Sequence, residues 1–153
     1  MPKITPFLWF NDNAEEAMTF YCSQFDDSAI NDINRQGESG AVMIVSARVA
    51  GQEVVALNGG PDHTLSEAFS FVIDYEDQAE VDRYWAAPTA GGGEPGPCGW
   101  LKDRFGLSWQ VVPRDLIRLM NDPAPEKAGR VMQAMMQMGK IEVDGLQRAY
   151  DAA

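Results

Sequence analysis

Residues 7–21, FLWFNDNAEEAMTFY, are answered 64 residues later by residues 71–85, FVIDYEDQAEVDRYW. Phe7-Leu8-Trp9 falls on Phe71-Val72-Ile73, Asn13 on Asp77, Glu16 on Glu80, Ala17 on Val81, Phe20 on Tyr84 and Tyr21 on Trp85. In each copy a short aromatic and branched run, favourable to a strand, leads to an Asn or Asp with Glu three positions on, the spacing of a helix-capping box. Ala14, Ala17, Met18, Tyr21, Cys22 and Phe25 then recur at helical spacing, as do Val81, Tyr84 and Trp85. Strand, cap, helix face and terminal aromatic pair all coincide, which points to a duplicated unit.

Working outward, both copies continue into strands. In the first, residues 28–35 and 41–50 read as strands with Gly37 and Gly40 at the turn between them. Ala50-Gly51-Gln52 makes a tight hairpin into residues 53–58, which Gly59-Gly60-Pro61 stops. In the second, the strand at 68–75 precedes the helix. A Gly/Pro-rich segment at 88–99 leads to a hairpin of 100–103 and 107–112 around Arg104-Phe105-Gly106, and Pro113 ends the sheet. The expected architecture is α+β: two βαβββ modules, about 3–60 and 67–113, forming a cupped mixed β-sheet within one domain, 1–113. Residues 114–153 form a C-terminal helical segment, with helices at 115–120, 126–138 and 143–150, packed on the same domain or on a partner subunit. Met132, Met135, Met136 and Met138 supply adaptable packing there.

The chain has 153 residues, one domain's worth, and 45% hydrophobic composition excludes a disordered acidic chain. With 12 Lys and Arg against 23 Asp and Glu, its net charge of −11 repels polyanions, so nucleic acid and anionic membrane surfaces are not expected partners. Cys22 and Cys98 make neither a disulfide framework nor a zinc cluster. The apolar run 4–10 is too short for a signal peptide and no run approaches a membrane span, so a soluble cytoplasmic protein is expected.

Paired βαβββ modules resemble the vicinal-oxygen-chelate superfamily of glyoxalases, extradiol dioxygenases and bleomycin-resistance proteins. Narrower wording comes from Phe7-Leu8-Trp9-Phe10, Leu57-Asn58-Gly59-Gly60-Pro61, Glu67-Ala68-Phe69-Ser70-Phe71, Cys98-Gly99-Trp100-Leu101-Lys102-Asp103 and Phe105-Gly106-Leu107-Ser108-Trp109-Gln110-Val111-Val112-Pro113. These stretches are similar to the PhnB-like, 3-demethylubiquinone-9 3-methyltransferase-like family. The resemblance is read over the whole chain, helical tail included, and implies the fold and a homodimer; one such unit leaves its sheet edge and apolar face unfinished, so modules or helices from both chains are expected to complete each cup.

Enzymes of that superfamily hold a divalent metal with His and Glu on the first and last strands of the modules, leaving open positions for substrate oxygens. The matching neighbourhoods here offer Phe7 and Trp9, then 55–58, 69–71 and 109–111, none with a histidine, while Glu53 lies at the far end of its strand. No metal site and no cofactor are therefore expected. The lone His63 sits beside Asp62, Ser66 and Glu67, so His63 and Glu67 are the weak catalytic candidates, with a solvated loop histidine as the plainer account. Gly91, Gly93 and Gly96 match the spacing of a nucleotide-binding turn, yet Pro95 and Pro97 break the helix that such a turn must open, which argues against methyl transfer from a nucleotide cofactor. What remains is an aromatic cup. Trp9, Asn58, Ser70, Trp100, Trp109 and Gln110 lie on the strands that would build it. Alternation alone leaves open whether the tryptophans line a pocket or belong to the core. The leading expectation is metal-independent binding of a small molecule. The alternative is a glyoxalase- or dioxygenase-type metalloenzyme using ligands such as Glu67 or Asp62.

Overall fold

The structure is a computed structural model and describes residues 1–152. Its chain divides into two compact units, Met1–Leu65 and the residues from Ser66 onward. The first unit runs β1 (Phe7–Phe10), α1 (Ala14–Gln24), β2 (Ala29–Gln36), β3 (Ala41–Val49) and β4 (Gln52–Asn58). Its sheet has the order β1-β4-β3-β2, with β1 parallel to β4 and the other pairs antiparallel. The second unit runs β5 (Ser70–Tyr75), α2 (Gln78–Thr89), β6 (Glu94–Pro95), β7 (Trp100–Lys102) and β8 (Ser108–Pro113), with the order β5-β8-β7-β6 and β5 parallel to β8. Strand order and direction thus repeat as the sequence repeats. Among the described residues, two four-stranded mixed sheets and five helices make this an α+β protein.

One face of each sheet carries the apolar residues that meet its helix. In the first unit Leu8, Phe10, Val45, Ala47, Val49, Val54 and Ala56 are buried, as are Ala14, Ala17, Met18 and Tyr21 of α1. The register pairs Val45 with Ala56 and Ala47 with Val54, so these side chains share one face. Phe7, Trp9, Val55 and Leu57 alternate onto the other. The hairpin between β3 and β4 turns on Ala50 and Gly51, both at positive φ (48° and 79°), the conformation of a two-residue turn whose twist suits the strands. In the second unit Tyr75, Val81, Leu101, Trp109 and Val111 are buried on the helix face.

The two helix starts differ from the expected symmetry. Asp77 is extended (φ −136°, ψ 170°) and its side chain accepts from the Glu80 N–H at 2.9 Å, while the Glu80 carboxylate accepts from the Glu76 N–H at 3.0 Å. Asn13, at φ −117° and ψ 26°, makes no side-chain cap. A capping box needs an extended N-cap residue, and Asn13 is not one. Asn58 at the end of β4 replaces it: its Oδ1 accepts from the Ala14 N–H at 2.8 Å, and its Nδ2 donates to the Val42 carbonyl at 3.1 Å. The Gly/Pro-rich segment also holds more structure than expected, since α2 continues to Thr89 and Glu94–Pro95 pair with β7.

Three helices close the chain: α3 (Arg114–Met120), α4 (Pro125–Met136) and α5 (Val143–Asp151). They bury Leu116, Leu119, Val131, Ile141 and Leu146, with Met135 and Met138 packed alongside and Met132 and Met136 exposed. The Arg130 guanidinium donates to the carbonyls of Ala149 and Tyr150 and so satisfies the end of α5. This helical segment is tied to the second unit. The N–H groups of Cys98 and Gly99 donate to the carbonyls of Met138 and Gly139, each at 2.8 Å, and Gln78 bridges the Ile141 carbonyl and the Val143 N–H.

Candidate functional site

On the first unit, Trp9 is half-buried on the face turned away from α1. Its Nε1 donates to the Gly60 carbonyl at 3.0 Å, and its ring lies where a Cβ on Gly59 would be, 2.4 Å away, so only glycine fits at 59. His63 is exposed and presents its ring to the Trp9 ring at 4.7 Å in an edge-on arrangement. Asn58, whose polar atoms serve α1 and β3, is on the helix side.

On the second unit the register writes a more informative face. Glu94 pairs with Lys102, Lys102 with Ser108, and Ser108 with Ser70, so these four residues cross the sheet in one row. The next row on that face is Trp100, Gln110 and Val72. Leu101, Trp109 and Val111 take the opposite parity and are buried under α2. Trp109 is therefore a core residue, 4% exposed; its Nε1 donates to Asp103 Oδ2 at 2.9 Å and its ring meets Phe71 at 5.3 Å. Asp103 is itself buried, and its Oδ1 accepts from the Phe105 and Leu107 N–H groups, which fixes the turn between β7 and β8. Of the six expected ligand-contacting residues, Ser70, Trp100 and Gln110 are brought together on one face, where Gln110 Nε2 donates to Ser70 Oγ at 3.0 Å. Trp9 lies on the open face of the other sheet. Asn58 and Trp109 point to the helix sides.

A cavity of about 380 Å³ opens on this second face, within the size range of small-molecule sites. Trp100, Lys102, Ser108, Glu67 and Glu94 line it together with the Pro95-Gly96-Pro97 bend. Lys102 Nζ meets Glu67 Oε1 at 2.8 Å. That hydrogen bond holds the Glu67 carboxyl below its ordinary range and raises the Lys102 ammonium, so both stay charged. A carboxylate so held is a weak base, which weakens Glu67 as a catalytic candidate. Ser108 is 1% exposed, and no protein group hydrogen-bonds its Oγ. Buried hydroxyls ordinarily find a partner, and this one lies in a cavity wall. Lys102, Ser108 and Glu94 are not among the six residues that the sequence alone points to as ligand contacts. Position i+2 from Trp100 and i−2 from Gln110 was the available signal.

The chain belongs to the 3-demethylubiquinone-9 3-methyltransferase family. The family model matches residues 2–112. Among solved structures, the PhnB protein of Bacillus cereus is 32% identical, with a TM-score of 0.66 over 73% of this chain and 99% of that one. Protein PA1353 of Pseudomonas aeruginosa (20% identity, TM-score 0.61, 74% and 98% covered) and the fosfomycin resistance protein FosX of Listeria monocytogenes (14%, 0.51, 74% and 93%) share the fold. That fold is the one glyoxalases and bleomycin-resistance proteins use. No curated protein matches the chain. The family match ends at residue 112, so the resemblance does not extend over the C-terminal helices as expected from the sequence.

The donors present do not fit the metal of the wider superfamily. The faces turned away from the helices offer Phe7 and Trp9 on β1 and Ser70, Val72 and Asp74 on β5, and Asp74 is paired with Arg114. Among the described residues no three His, Cys, Asp or Glu side chains are grouped as a metal site. Nor do the glycines at 91, 93 and 96 open a helix: Gly91 and Gly93 lie between α2 and β6, and Gly96 between β6 and β7.

Proposed function

We propose that this family member binds a small molecule on the open face of its second sheet, in the cavity walled by Trp100, Lys102 and Ser108. The observation that carries the reading is the Ser108 hydroxyl, buried without a protein partner in the wall of a cavity that also exposes an indole. A side-chain shift that opened the wall over Ser108 would let a ligand oxygen or nitrogen satisfy it, and Trp100 would supply apolar contact area. Binding needs no metal in this reading. Catalysis has no matching support, because Glu67 is engaged by Lys102 and His63 is an exposed loop residue of the other unit.

We further infer a homodimer, since Phe7, Phe69 and Val72 are 57%, 43% and 59% exposed, large apolar surfaces for a lone chain to leave in water. A reducing, cytoplasmic setting agrees with Cys22 and Cys98 both being free thiols. No helix among the described residues is long and apolar enough to cross a membrane.

A thermal-shift screen of a diverse small-molecule collection, with hits mapped by backbone NMR, tests the binding reading. Ligand at 100 times its dissociation constant should add about 2.7 kcal/mol of stability and shift the resonances of Trp100, Lys102 and Ser108. A screen in which no compound stabilises the protein, or in which hits map elsewhere, overturns it.

A further inference from the structure

We infer that the occupant of this cavity is a small organic cation, an amine carried on a flat apolar ring; the inference rests on the binding reading above and adds the chemical class. Three charged side chains line the cavity, and their pairing is unequal. Glu67 and Lys102 neutralise each other at 2.8 Å. Glu94 faces Lys102 across the β6–β7 ladder and raises its pKa at longer range, yet has no ion-pair partner within 4.0 Å among the described residues. The lining therefore carries one carboxylate in excess. An incoming anion would have to compete with Glu67 for the single ammonium while facing two carboxylates. An incoming cation meets Glu94 directly and finds in Trp100 an aromatic wall whose negative face attracts positive charge. The net charge of −11 adds a field that concentrates cations at the surface.

The test uses the full chain and three probes that share a phenyl ring on a short chain and carry a cationic, neutral or anionic polar group: phenethylamine, 2-phenylethanol and phenylacetate. Binding is followed by the NMR shifts of the Trp100 indole N–H and the Lys102 and Ser108 amides. Phenethylamine should bind about tenfold more tightly than the alcohol, with phenylacetate weakest. Glu94→Gln should reduce the amine to the level of the alcohol. Because Glu94 is exposed, the variant should fold; raising salt to about 1 M, where screening falls to roughly 3 Å, should independently erase the preference in the unaltered protein. Equal binding of amine and alcohol at these residues, or a preference that survives both Glu94→Gln and salt, overturns the cation assignment while leaving the binding reading intact. If neither these probes nor any screened compound shifts the three residues, the binding reading fails and the cation assignment with it.

Discussion

Replacing Ser108 with alanine should make this protein more stable and a poorer binder. Ser108 is 1% exposed and its hydroxyl has no protein partner, so the folded state bears the desolvation of a polar group that water satisfies in the unfolded chain. That cost is about 1–3 kcal/mol, and removing a single oxygen leaves only a small void to set against it. A net gain of about 1 kcal/mol follows, which for a chain of this length raises Tm by roughly 2–4 °C. If the proposed binding holds, the same variant loses a hydrogen bond to the ligand, worth about 0.5–1.5 kcal/mol, or roughly two- to tenfold in affinity. Urea denaturation with an unchanged m-value reads the first effect, and ligand titration reads the second. Destabilisation by more than about 1 kcal/mol would show that the hydroxyl has a protein partner after all. Undiminished affinity would show that it does not touch ligand.

Tyr75→Phe is the matching control, because the Tyr75 hydroxyl is also buried without a partner but lies on the helix face, stacked on Tyr84 at 4.6 Å; stability should rise by about 1 kcal/mol with binding unchanged. Burial also pushes the Tyr75 phenol above its ordinary range. An unfolded tyrosine releases its proton first as pH rises past about 10, so stability should fall above that pH in the parent protein and fall less in the variant. Asn58→Ala should cost about 1–2 kcal/mol by uncapping α1 and orphaning the Val42 carbonyl, whereas Asn13→Ala should stay within about 0.5 kcal/mol, a contrast that denaturation curves resolve. Light scattering at micromolar concentration should give the mass of a dimer; a monomer would refute the inferred assembly.

The repeat was legible because each copy packs its instructions into about fifteen consecutive residues: a strand, a cap and an amphipathic helix face. Information held at longer range was not. Asn13 has the right residue type and spacing for a cap, but the group that caps α1 is Asn58, brought close only when β4 pairs with β1. The tryptophans show the same limit. Trp100 and Trp109 are both aromatic residues on neighbouring strands, and nothing local says that Leu101 rather than Trp100 pairs with Trp109. Once that register is known, Trp109 joins the core, while Lys102 and Ser108 join Trp100 and Gln110. Glu94 lay in a stretch read as loop because its proline and glycines are poor strand formers, yet two residues there suffice to complete the sheet edge.

The bonds from Cys98 and Gly99 to Met138 and Gly139 place the Pro95–Trp100 bend between two masters. One side of the cavity is written in the duplicated sheet that the family shares; the other is held from behind by helices beyond residue 112, where the family match stops. A change in the appended helices is transmitted through those two bonds to the bend, and so reshapes one wall of the cavity without altering a residue of the sheet.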